Sequence, residues 1–140
     1  MPACSSSART VADPALPVEP SAARLHRAMR DAAALCLFVC RACHRAHHPP
    51  RALCPWCGSA GSRPGQVDPT GRVHSWTVVH RAAASPWRER APYAVVVVEL
   101  ADGARVLANA LIETRPPAIG DVVTVAVRPE GPDRVGLWLA

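Results

Sequence analysis

Apolar and polar residues are arranged in four different ways along this chain of 140 residues, and each arrangement predicts a different element. Residues 1–20 are rich in Ser, Ala and Pro with no apolar period, which predicts a disordered or loosely docked leader. Over 21–36 the period becomes helical. Ser21 stands as an N-cap, and Leu25, Ala28, Met29, Ala32, Ala33 and Leu35 recur at intervals that keep them on one side. Arg24, Arg27, Arg30 and Asp31 fall mostly on the other. Residues 37–61 are organised around cysteines, with Leu37, Phe38 and Val39 leading in and small residues from Ser59 to Ser62 closing the stretch. From 65 to 140 the chain is a succession of strand signals separated by turn residues. The strands are expected at about 66–80, 93–101, 104–112, 121–128 and 134–139, with turns at Asp68–Gly71 and Asp102–Gly103 and a loop from Pro129 to Asp133.

Five strands in so short a span, with a longer excursion near 113–120, predict a small Greek-key barrel of the OB type, a short sandwich being the competitor. Closure would also protect the Val-rich second strand, Tyr93–Leu100, from edge-to-edge association. The fold class is therefore mainly β: an N-terminal helix, a cysteine-organised ribbon and a five-stranded OB-fold barrel. Trp76 and Trp138 lie in strands and are expected to feed the core.

The ribbon follows from spacing. Cys40 and Cys43 form one Cys-x2-Cys pair and Cys54 and Cys57 another, with ten residues between them. Two such knuckles deliver four thiolates to one tetrahedral ion. Gly58 gives the second knuckle the permissive backbone it needs just after its last ligand. Zinc is the expected occupant, with iron as the substitute that a four-sulfur site accepts. Because thiolates fill all four positions, the ion is structural. His44, His47 and His48 are then solvated ribbon histidines and not ligands.

Composition narrows the function. The net charge is +5, all sixteen basic residues are arginine, and they are scattered along the chain, as expected of a solvated surface. With one Phe, one Tyr and four Trp, too few aromatics remain for a single-strand-binding groove, so nucleic acid is not the expected partner. No apolar run is long enough to cross a bilayer, and the N-terminus lacks a signal-peptide core, so the expected location is the cytoplasm. No paired carboxylates, phosphate loop or nucleophile elbow occurs, Cys36 lies in an apolar run, and Cys4 lies in the leader. The chain is therefore not expected to be an enzyme. The loop from Ala82 to Pro92 offers Trp87 beside Arg88 and Arg90, a composition suited to a partner or to phosphate groups, with Tyr93 and His80 at the flanking strand ends.

These pieces, in this order, carry a resemblance. A helix, LFVCRAC ending at Cys43, Pro49-Pro50, CPWCGS from Cys54, GRVHSWTVVHR from Gly71, PYAVVVVEL from Pro92 and IGDVV from Ile119 resemble a family with a rubredoxin-like zinc ribbon and an OB-fold. That bacterial and archaeal family has long been catalogued as a domain of unknown function, and the resemblance spans about residues 21–139. It implies an accessory subunit in acyl-CoA metabolism, including lipid and steroid side-chain breakdown, that pairs with thiolase-like enzymes or related aldolases. MaoC-type enoyl-CoA hydratases are the alternative partner. It further implies that the barrel holds part of the CoA-linked substrate while the ribbon and helix grip the enzyme. Two positions depart from the family: His44 stands where Gly is usual, and His74 where an aromatic such as Tyr is frequent.

Overall fold

The protein, as a computed structural model, is described over residues 20–112 and 116–140. The expected leader lies outside these residues except for Pro20, which opens helix α1 (Pro20–Ala32). A three-stranded antiparallel sheet follows in the order β2-β1-β3, formed by β1 (Cys36–Cys40), β2 (Ala46–His47) and β3 (Ser62–Gln66). The remaining strands are β4 (Thr70–Val79), β5 (Tyr93–Leu100), β6 (Arg105–Leu111), β7 (Val122–Pro129) and β8 (Val135–Leu139). They close a barrel in the order β4-β5-β6-β8-β7, and the single turn α2 (Trp87–Arg90) lies between β4 and β5. Every barrel pairing is antiparallel except β6 with β8, which run parallel and meet at Asn109 and Trp138. This is the OB arrangement, closed as expected and not a sandwich.

Two elements differ from the sequence reading. The helix stops at Ala32, four residues early, because Ala33 takes a left-handed φ of 48°. Its N–H donates to Arg30 O and that of Ala34 to Met29 O, both at 3.3 Å, which is the paired closure of a Schellman motif with Ala in the position usually held by Gly. Leu35 and Cys36 are thereby released to enter β1 as buried extended chain. The expected first strand over 66–80 is in fact two. Gln66 ends β3 in the small sheet, Asp68 Oδ1 accepts the Thr70 N–H at 2.8 Å, and β4 then starts the barrel.

One apolar core serves the whole. Ala94, Val96, Val98 and Leu100 alternate inward along β5 and meet Val73, Val106, Ala108, Val125 and Val135 from the other barrel strands. The same cluster takes Leu25 and Met29 from α1 and Leu35, Leu37 and Phe38 from the ribbon. Fully burying each Val or Leu contributes roughly 1.5–3 kcal/mol, so the ribbon and the barrel stabilise each other by filling a shared interior. Gly71 permits the closest approach of β4 to β5: a Cβ there would lie 2.6 Å from both Glu99 O and Val98 Cγ1.

The bulge between Val73 and Ser75 absorbs His74 as an extra residue of β4. Trp76 does not feed the core as expected and is 38% exposed. Beyond Arg72, β4 has no strand on its β7 side among the described residues, so the indole stands where the wall is open.

The helix is fastened to the β7–β8 hairpin by polar contacts. Arg30 donates to Pro132 O and pairs with Asp133 at 3.6 Å, and the Val135 N–H donates to His26 Nδ1 at 3.2 Å. Accepting that bond requires neutral imidazole at Nδ1. Burial, then the Arg134 and Arg30 guanidinium groups, lower the His26 pKa below its ordinary 6.5. The unfolded chain therefore binds the proton more readily, and this contribution to stability is present above about pH 6.5 and lost as the pH falls below it. Thermal unfolding followed between about pH 5 and pH 8 should show a midpoint that drops on the acid side. His26→Asn, which keeps an acceptor but cannot titrate, should flatten that drop.

Candidate functional site

The four cysteines are brought together by two copies of one turn. The His44 N–H donates to Cys40 O at 3.1 Å and the Gly58 N–H to Cys54 O at 2.9 Å, which folds each Cys-x2-Cys pair so that both sulfurs face one point. The residue after each second ligand is left-handed, Gly58 at φ 74° and His44 at φ 59°. The first knuckle thus makes the glycine-type turn with a histidine, at a cost of roughly 1–2 kcal/mol.

All four Sγ atoms lie within 4.8 Å of one another. Cys40 and Cys57 are 3.7 Å apart, as are Cys43 and Cys54, each close pair taking one sulfur from each knuckle. A tetrahedral ion with metal–sulfur bonds of about 2.3 Å requires sulfur–sulfur edges of about 3.8 Å, so the set fits such an ion; a disulfide would need about 2.05 Å. Backbone N–H groups favour the ionised ligand form. Those of Cys43 and Ala42 lower the Cys40 thiol, and the Ser59 hydroxyl and N–H push Cys57 down to about 6. The Arg45 N–H acts in the same direction on Cys43, but burial and the three neighbouring sulfurs outweigh it and hold that thiol near 11. An ion held there would supply a covalent cross-link between the knuckles and no open position for chemistry.

The second knuckle also reaches the barrel. Trp56, between Cys54 and Cys57, donates from Nε1 to Ala46 O at 2.9 Å and lies beneath the Arg45 guanidinium, 3.7 Å from its ring centre. Arg45 in turn donates to Asp102 O at 3.1 Å, and the indole lies against Gly103, where a Cβ would come within 3.5 Å of it. The metal knuckles, an arginine–indole stack and the β5–β6 turn are therefore mechanically continuous. His47, expected to be solvated, is buried, with Nε2 2.9 Å from Ser62 Oγ. His44 and His48 are exposed.

Of the residues singled out in the loop before β5, three converge. Trp87 packs on Tyr93, ring centres 5.0 Å apart, and Arg90 lies 5.1 Å from the Trp87 ring. Arg88 turns back to Ala83 O, and His80 is exposed at the end of β4 and takes no part in this cluster. The cluster is completed by residues that the sequence reading missed. Trp138 stacks on Trp87 at 5.8 Å and 9°, its Nε1 donates to Glu130 at 3.1 Å, Glu130 pairs with Arg90 at 3.6 Å, and Arg128 lies 5.3 Å from the Trp138 ring. Trp138 is buried, but not in the barrel core: its register with Asn109 and Ala126 puts it on the outer face, under α2. Gly136 leaves room for the Glu130 carboxyl that holds it, since a Cβ would sit 2.4 Å from Glu130 Cδ. The signal available beforehand was strand alternation, which sets Trp138 apart from Val135, Leu137 and Leu139. Beside this cluster the outer face stays apolar and open at Leu107 and Leu111.

Known proteins resemble this chain in sequence and fold. A profile of the C-terminal OB-fold domain of ChsH2 matches residues 65–128. A DUF35 domain-containing scaffold protein of Methanothermobacter thermautotrophicus is 34% identical over 102 residues, covering 69% of this chain and 75% of that protein. Another of that description from Pyrococcus furiosus is 34% identical over 85 residues, 59% of this chain and 61% of its own. A probable enoyl-CoA hydratase alpha subunit of Thermomonospora curvata is 37% identical over 70 residues, half of this chain but 21% of that subunit, so the chain spans about a fifth of its length. Among solved structures, a chain of an Ltp2-ChsH2(DUF35) aldolase superposes with a TM-score of 0.72 at 27% identity, covering 87% of this chain and 94% of that one.

If the four sulfurs hold an ion, its removal should be felt at Trp56. Titration with a strong chelator under reducing conditions should change the tryptophan emission and lower the unfolding midpoint, and restoring the metal should reverse both. Cys40→Ser should reproduce the loss permanently, because binding energy in such ribbons is largely folding energy. A chain that keeps its emission and midpoint after complete metal removal would show that the cluster holds its shape through packing alone.

Proposed function

The chain belongs to the DUF35 family, and from that premise we propose that it is a non-catalytic accessory subunit of an enzyme that processes acyl-CoA esters. The proposed partner is a thiolase-like enzyme, either a thiolase or a retro-aldolase of the steroid side-chain type, which this subunit stabilises and whose substrate channel it helps to form. The observation that carries the reading is the likeness to a chain of an Ltp2-ChsH2(DUF35) aldolase over 87% of this chain, which is more than the barrel alone supplies. A likeness to the barrel alone would leave the role open, because OB barrels serve many functions. On this reading the resident ion is zinc, with iron as the substitute, held by Cys40, Cys43, Cys54 and Cys57.

The surface assigned to substrate or partner is the one around Trp87, Arg90 and Tyr93, with Arg88 and His80 at its margins. An arginine already stacked on indole needs little ordering to meet a phosphate or carboxylate. The assigned compartment is the cytoplasm; among the described residues no helix is long and apolar enough to cross a membrane. A second reading makes the partner a MaoC-type hydratase, and what favours it is the stretch shared with the hydratase alpha subunit.

Co-expression with a thiolase-fold protein from the same genome, followed by size-exclusion chromatography, should give one co-eluting complex. Separate elution together with full activity of the enzyme alone would remove the proposal. Co-elution with a hydratase instead would select the second reading. Elemental analysis of the purified protein should find about one zinc per chain, as expected of a closed four-thiolate site.

A further inference from the structure

The four sulfurs of the ribbon are not equivalent. Cys40 and Cys54 are buried, at 1% and 3% exposure, and Cys43 is half-buried, whereas Cys57 is exposed. The Cys57 Sγ lies 3.3 Å from Ser59 Oγ and 3.7 Å from Cys40 Sγ. A sulfur open to solvent thus stands beside a buried one that belongs to the opposite knuckle.

The two knuckles are also held with unequal firmness. Cys40 ends β1, the central strand of the small sheet, where it is paired with Ser62 of β3 and donates its N–H to Arg45 O at 3.1 Å. The second knuckle lies outside the strands. It is closed by one isolated bridge, Leu53 with Ala60, and by the Cys54 N–H to Ser59 O bond at 2.9 Å, and it is tied to the rest of the ribbon through the Trp56 indole on Ala46 O. Leu53 is 57% and Trp56 40% exposed, so little buried apolar surface anchors it.

We propose that the ribbon is a peroxide-sensitive switch, in which the exposed Cys57 sulfur reacts first with a hydroperoxide and is then captured by Cys40 in a disulfide across the knuckles, so that the metal is released. The proposal rests on the reading that the four sulfurs hold zinc and names a means of regulating that site. In the first step Cys57 gives an electron pair to one peroxide oxygen. The S–O bond forms as the O–O bond breaks, and the second oxygen leaves as hydroxide and takes a proton from solvent. Cys40 then attacks the Cys57 sulfur, the S–S bond forms as the S–O bond breaks, and hydroxide leaves in the same way. Each sulfur has lost one electron, and one peroxide has become two waters. A disulfide sulfur carries no charge and is no longer a ligand, and the two remaining thiolates cannot fill a four-coordinate site. Cys40 is the capturing partner because its sulfur is adjacent and its strand is fixed, while the lightly held second knuckle can come to it. The other close pair, Cys43 and Cys54, has no sulfur as open as Cys57. Because Trp56 precedes Cys57 directly, movement of this knuckle would also disturb the indole contacts with Ala46 O, Arg45 and Gly103.

The test uses the full chain, loaded with zinc and shown to hold about one ion. Graded hydrogen peroxide in the presence of a chromogenic chelator should release zinc in step with formation of one disulfide, with a change in tryptophan emission, and dithiothreitol with added zinc should reverse all three. Trypsin cleaves after Arg41, Arg45 and Arg51, which puts Cys40, Cys43 and the Cys54/Cys57 pair in separate peptides, and fragmentation in the mass spectrometer should join Cys40 to Cys57. Cys57→His, which keeps a ligand and removes the thiol, should hold zinc and need at least about tenfold more peroxide to lose it, while Cys43→His should release it like the parent. Where a variant fails to bind zinc, the parent decides: after substoichiometric peroxide and alkylation under denaturing conditions, Cys57 should be the first of the four thiols lost. Zinc release with Cys57 intact, a disulfide joining any other two cysteines, or zinc retained through excess peroxide would overturn the switch and leave the zinc reading standing. A purified chain that holds no metal would overturn both.

Discussion

Four sulfurs held within 4.8 Å of one another are the constraint on which the rest of this structure hangs. The ribbon has one strand of two residues and two of five, too little hydrogen-bonded sheet to stand by itself. An ion bound there would tie Cys40 and Cys57 to one centre, and the only large apolar side chain in the two turns that present them is Trp56. Once fixed, the ribbon presents Leu35, Leu37 and Phe38 to the barrel as a finished surface. The barrel gains part of its core from the ribbon, so the cost of losing an ion bound at the four sulfurs would spread through the shared interior.

The barrel in turn uses its two faces differently. Inward positions of β5 are filled by Ala, Val and Leu with no polar group among them. The outer face is aromatic and charged, where α2 folds Trp87 over Trp138 and sets Arg90 between the indoles and Glu130. Half of what made Trp87 attractive as a free contact residue is consumed by that packing. What the cluster offers a partner is a rigid edge with an oriented guanidinium, which is a better recognition element than a loose indole because little entropy remains to be lost.

Much of this was legible in the sequence because the governing signals are local. The Cys-x2-Cys spacing defined the metal set, and the alternation of Tyr93–Leu100 and the Asp102-Gly103 turn placed β5 and β6 closely. The misreadings share one cause, tertiary context. Leu35 continued the helical period, yet Ala33 adopts the left-handed turn and gives Leu35 to the ribbon. Trp76 and Trp138 were both read as core because strand tryptophans usually are; one stands at an open wall, and the other is covered from outside by the helical turn Trp87–Arg90, far upstream of its own strand Val135–Leu139. His47 was read as solvated like its neighbours, whereas the β1 pairing turns it inward onto Ser62. The Trp138–Trp87 contact joins residues whose spacing in sequence carries no period.

The arginines show most clearly how position along a chain and position in space diverge. They are scattered along the sequence, and a scattered set reads as a solvated coat. The missing carboxylates between Asp31 and Asp68 are the more informative feature, because an arginine on a solvated coat normally lies near an acid and these do not. Like charges held close together repel, so a folded chain gains nothing from gathering them on one lobe without an opposing surface. That lobe is also the one that the four thiolates brace. Rigid placement of the charges raises the repulsion in the free subunit and lowers the ordering cost in a complex, and both effects favour the bound state. Ligation at the four thiolates would therefore also fix the geometry of that charged lobe.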